Sequence, residues 1–86
     1  MANLSYKQVN TNGEYVDFET EMGITLVVGN KYQLGIQNNV VLCVLATKPT
    51  SGGFPFNNEN FTYTHKGDKL WIRTTYNSAW VNIAEG

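Results

Sequence analysis

Apolar and polar residues alternate with a period of two through most of this chain, which commits it to strands whose successive side chains point to opposite faces. The pattern is clearest in the C-terminal third. A turn at Lys66-Gly67 sets Tyr63 opposite Leu70 and Phe61 opposite Ile72, and a turn at Tyr76-Asn77 sets Ile72 opposite Val81 and Leu70 opposite Ile83. One face of the resulting β-meander carries Phe61, Tyr63, Leu70, Ile72, Val81 and Ile83. The other carries Thr62, Thr64, Lys69, Trp71, Arg73, Trp80 and Asn82. A slip of one residue would scramble both faces, so the register is strongly specified.

Upstream, residues 1–12 read as an N-terminal arm or edge strand. Glu14 to Met22 alternates as a strand with Val16, Phe18 and Met22 on one side and Asp17, Glu19 and Glu21 on the other. Ile24 to Val28 is a short apolar strand stopped by Gly29-Asn30, and Lys31 to Gln37 alternates with Tyr32, Leu34 and Ile36 inward. Val40 to Ala46 is apolar on both faces, as in a central strand covered on both sides, and one of those covers is open to another subunit. Residues 47–60 form a long loop holding Phe54-Pro55-Phe56, two aromatics that are costly to leave in water. Helix signals are nearly absent, while Asn, Thr, Gly, Val and aromatic residues favour strands and turns. The fold expected is one all-β domain over residues 1–86, an antiparallel β-sandwich or flattened β-barrel ending in the β-meander. Its expected core includes Phe18, Leu34, Ile36, Leu42, Val44, Leu70, Ile72, Val81 and Ile83.

A chain of 86 residues buries only about 60–65 per cent of the surface its unfolded form exposes. Cys43 is the sole cysteine and His65 the sole histidine, so neither an internal disulfide nor a zinc site of ordinary spacing is available. No metal or other cofactor is expected, and oligomerisation is the remaining source of extra stability. The formal charge of −1 argues against a nucleic-acid partner, which requires a basic face. No stretch reaches the apolar length of a membrane span, and Met1-Ala2-Asn3-Leu4-Ser5 lacks a signal-peptide core; synthesis and retention in a reducing cytoplasm are expected.

His65 lies beside the turn Lys66-Gly67-Asp68, where a histidine is normally a solvated surface residue, and no nucleophile or orienting group can be named for it. Cys43, inside an apolar run, reads as a small hydrophobe. The three carboxylates Asp17, Glu19 and Glu21 read as a solvated strand face, or as one that protects a sheet edge by charge, rather than as a calcium site, which normally takes ligands from a tight loop. No enzymatic role is expected. The candidate contact residues are Phe54, Phe56, Trp71, Arg73, Trp80 and Asn82. In the meander register, Trp71 and Trp80 are diagonal neighbours and Arg73 lies opposite Trp80. Such a face serves a second core layer, a subunit interface, or a glycan site in which the rings stack on sugar and Arg73 and Asn82 supply hydrogen bonds.

The segments Gly67-Asp68-Lys69-Leu70-Trp71-Ile72-Arg73-Thr74 and Ser78-Ala79-Trp80-Val81-Asn82-Ile83-Ala84-Glu85 resemble the closing strands of small tailed-bacteriophage virion proteins. Tyr32-Gln33-Leu34-Gly35-Ile36-Gln37-Asn38, followed by an apolar strand and then Pro49, is similar to an earlier strand and loop of the same group. Trp80 stands where that group has a small residue. The resemblance implies a capsid decoration, neck or tail accessory protein without enzymatic activity. It would be located in the virion, assembled as a homo-oligomer (a trimer) and docked on other virion proteins such as the capsid or tail.

Overall fold

A computed structural model describes residues 3–75 and 78–86. The elements run β1 (Asn3–Val9), β2 (Val16–Asp17), α1 (Phe18–Met22), β3 (Lys31–Gln37), β4 (Asn39–Val44), β5 (Phe54–Asn57), β6 (Asn60–Thr64), β7 (Leu70–Thr74) and β8 (Ala79–Glu85). They form two four-stranded antiparallel sheets, one in the order β1-β8-β3-β6 and the other β2-β7-β4-β5. The chain is therefore an all-β sandwich. The inward residues of both sheets interdigitate: Tyr32, Leu34 and Ile36 of β3 with Val81 and Ile83 of β8 meet Val40 and Leu42 of β4 with Leu70 and Ile72 of β7. Of the expected core residues, Val44 alone is left outside, 43% exposed at the end of β4.

The C-terminal meander is not formed. β6 pairs with β3, β7 with β2 and β4, and β8 with β1 and β3, so these three consecutive strands alternate between sheets. Period-two alternation says which side of a strand meets the core. It is silent on whether the next strand lies alongside or across that core, and the inward faces stay the same in both arrangements. The turn expected at Tyr76-Asn77 lies outside the described residues.

The chain also switches sheets at two asparagines. Asn38 (φ 73°) and Asn58 (φ 50°) occupy the left-handed region that asparagine tolerates, and each turns the chain from one sheet to the other. The corners hold each other: the Asn38 N–H donates to Asn58 Oδ1 at 2.9 Å, and the Asn58 N–H donates to the Asn38 carbonyl at 3.3 Å. The Asn38 amide further donates to the Ser78 carbonyl at 3.1 Å.

The strand expected over Glu14 to Met22 stops after Asp17 and gives way to one turn of helix. Phe18 and Met22 are four apart, so they share a face in a helix as well as in a strand. The ends decide between the two. Asp17 caps the N-terminus by accepting from the Glu19 N–H at 3.2 Å, and Gly23, at φ 70°, closes the C-terminus in the left-handed conformation. From β1, Ser5 Oγ donates to the Met22 carbonyl at 2.9 Å and Lys7 Nζ to the Glu21 carbonyl at 2.8 Å, satisfying C-terminal acceptors that the helix leaves open. The three carboxylates thus form no strip: Asp17 caps, and Glu19 accepts from the Leu26 N–H at 2.6 Å. Residues 24–27 are irregular rather than a strand, with Leu26 buried.

The long loop is also shorter than expected, because residues 54–57 within it form β5 and pair with β4. The rest of it folds over the outer face of β4. Val41 is buried there, and the Tyr15 hydroxyl donates to the Gly52 carbonyl, so the second cover of β4 comes from this chain itself. Buried Thr11 and Thr74 exchange bonds across 63 residues: the Thr11 N–H donates to Thr74 Oγ1 at 3.0 Å and the Thr74 N–H to Thr11 Oγ1 at 2.9 Å. Each hydroxyl satisfies a backbone donor that would otherwise cost about 1–3 kcal/mol to bury.

Candidate binding surfaces

Because β7 and β8 belong to different sheets, Trp71 and Arg73 lie on one outer face of the sandwich and Trp80 and Asn82 on the opposite one. They do not form one site. Trp71 is half-buried and engaged within the chain: its indole N–H donates to the Leu45 carbonyl at 3.0 Å, and Lys69 Nζ sits 5.8 Å from the ring centroid. Lys69 also approaches Asp17 at 3.9 Å. The Arg73 guanidinium lies 5.4 Å from the Tyr15 ring centroid, a cation–π arrangement at the wall of an open cleft with Lys48, Pro49 and Gly52. These residues fasten the loop over the second sheet.

The other face is built differently. On the first sheet, Trp80 pairs with Gln8 of β1 and Gln37 of β3, and Asn82 pairs with Tyr6 of β1 and Gly35 of β3. Gly35 in turn pairs with Asn60 of β6. The Tyr6 and Trp80 rings stack with centroids 5.1 Å apart and planes 24° from parallel. Both stay open to solvent, Tyr6 at 54% and Trp80 at 37% exposure. Together with Asn3, Ile36, Gln37, Asn60 and Asn82 they line a shallow cleft of about 390 Å³ above Gly35. Of these residues only Trp80 and Asn82 stood out in the sequence. Tyr6 was concealed in an N-terminal segment that reads as an arm or an edge strand. The signal for Gly35 was present, a glycine at an outward position inside the alternating strand Lys31 to Gln37.

The two phenylalanines of the loop separate as well. Phe56 is half-buried against the core and stacks on Phe61 with centroids 4.1 Å apart and planes 11° from parallel. Phe54 is 71% exposed on β5, the edge strand of the second sheet.

His65 is buried rather than solvated, at 5% exposure. Its backbone N–H donates to the Asn30 carbonyl and its carbonyl accepts from the Gly29 N–H, which tucks the residue beneath the preceding turn. Its Nδ1 lies 2.9 Å from the Tyr63 hydroxyl. Burial first, and then the negative charge of Glu19 and Asp68, holds the Tyr63 phenol above its ordinary value of 10.0. Cys43 is only half-buried. Among the described residues, no three His, Cys, Asp or Glu side chains gather as metal ligands.

No protein-family model matches the chain, and neither does any curated protein or solved structure.

Proposed function

We propose that the chain is a non-enzymatic structural subunit of a bacteriophage virion, a capsid decoration or a head or tail accessory protein. It acts by assembling with copies of itself, as a trimer, and by docking on the particle. The virion setting and the trimer rest on the resemblance of Tyr32 to Gly86 to small virion proteins. The observation that carries the assembly step is the state of the second sheet's inner face. Phe54 pairs with Leu42 and therefore shares its core-facing side, and Val44 lies one alternation further along the same side of β4. Leu42 is buried, yet Val44 at the end of β4 is 43% exposed and Phe54 is 71% exposed on β5, an edge that no strand among the described residues covers. An inner face that extends past its cover is completed by another chain, and an open strand edge is a ready template for it.

Light scattering on the purified protein tests the assembly. The wild type is expected to run as an oligomer at micromolar concentration, and Phe54→Ser to shift it toward monomer with self-affinity reduced about thirtyfold, the effect of a hot spot of about 2 kcal/mol. Circular dichroism of the variant should stay β-rich. A wild-type protein that remains monomeric overturns the proposal.

A further inference from the structure

We propose that the cleft on the outer face of the first sheet binds a ring of a neutral saccharide, with Trp80 and Tyr6 as the apolar platform and the amides of Asn60, Asn82 and Gln37 as hydrogen-bonding partners. Three observations converge on this ligand. The first is Gly35. It lies within β3, paired on both sides in unbroken register. A glycine there weakens the strand, and such glycines mark a bulge, a bend or a close approach by a ligand or backbone. The register leaves no bulge, and a Cβ at this position would project to 2.9 Å from Asn60 Oδ1 and 3.8 Å from Asn82 Cβ, into the cleft floor. The glycine keeps that floor open.

The second observation is the aromatic pair. Tyr6 and Trp80 stand on the side of β1 and β8, across the Gly35 floor from Asn60 on β6. Large rings held rigid by mutual stacking offer apolar area at little entropic cost, and the C–H faces of a pyranose are the apolar part of a sugar. The third is the charge. Among the described residues the lining contains no Asp, Glu, Lys, Arg or His, and apart from the Tyr6 hydroxyl and the Trp80 indole N–H its polar side-chain groups are amides. An amide both donates and accepts, as a hydroxyl does, so a cluster of amides matches vicinal hydroxyls. A cleft without cations does not suit phosphate, sulfate or nucleic acid. A proline-rich peptide would also use aromatic rings, but it offers few hydrogen-bonding groups to so many amides. The site lies on the outer face of the first sheet and shares no residue with the Phe54 edge of the second, so it stands or falls independently of self-assembly.

A printed array of neutral and acidic glycans, followed by titration with the best neutral oligosaccharide, by tryptophan fluorescence where Trp80 is retained and by calorimetry for every variant, tests the assignment. Saturable binding is expected in the wild type, weakened about tenfold or more in Trp80→Ala. Gly35→Leu should abolish binding by filling the floor while the Asn60 amide, the end of a flexible side chain, swings aside. Trp71→Ala should bind as the wild type does, because the fluorescence change comes from Trp80. Circular dichroism of each variant establishes that the sheet is intact, and Tyr6→Ala, which alters an exposed side chain, repeats the test should Gly35→Leu misfold. Binding to no glycan, to acidic glycans alone, or to a decaproline peptide in place of sugar overturns the proposal, as does equal loss in Trp71→Ala.

Discussion

Phe18→Ala is expected to destabilise the protein by about 3–5 kcal/mol, the range for removing a fully buried phenylalanine. A domain of 86 residues has about 4–13 kcal/mol of stability in total, so this one change consumes a large share of it. Phe18 has no exposed surface and opens α1, whose single turn cannot hold itself without tertiary contacts. Truncating the ring removes its packing within the core and withdraws the main anchor of the helix. The turn would then release Met22, its companion on the same face. Urea unfolding should show a lower midpoint at an unchanged slope. A loss below about 1 kcal/mol would mean that α1 packs elsewhere than on the core.

Gly53→Ala carries the second large effect, about 2–4 kcal/mol, because two penalties coincide there. The residue has φ +107°, which side-chain-bearing residues rarely adopt. A methyl group would meet the Tyr15 hydroxyl, approach Val41 Cγ1 to 2.7 Å and approach the Leu42 carbonyl oxygen to 2.9 Å. That carbonyl belongs to the backbone of β4 and has little room to give. Gly52→Ala is the matched control: it also has positive φ, +83°, but nothing lies within 4 Å, so only the conformational cost of about 1 kcal/mol remains. The difference between the two variants isolates the close approach of the loop to β4. Equal losses in thermal unfolding would show that the loop does not press on Val41.

Which side of each strand faces the core was legible in the sequence, from Tyr32, Leu34 and Ile36 through Leu70, Ile72, Val81 and Ile83. The partners of those strands were not. A hairpin and a crossing between sheets impose the same alternation, and what distinguishes them here is distributed in space. It lies in corner asparagines that bond each other across 20 residues, and in threonines that meet across 63. The candidate surface misled for the same reason. Trp71 and Trp80 share a face only if their strands are neighbours, and once the strands part, one ring fastens a loop while the other lines a cleft with Tyr6. Phe18 and Met22 illustrate a different ambiguity. A separation of four fits both periods, and Asp17 and Gly23, the residues that resolve it, act through backbone geometry rather than through hydrophobic pattern.

Co-sedimentation with virus particles tests the central proposal most directly. Particles assembled without this protein are mixed with purified wild type or with Phe54→Ser and then pelleted. The wild type is expected to sediment with them in saturable, many-copy stoichiometry, and Phe54→Ser to remain in the supernatant. A wild type that stays in the supernatant, or a Phe54→Ser variant that sediments equally well, would contradict a subunit whose docking depends on self-assembly through its open edge.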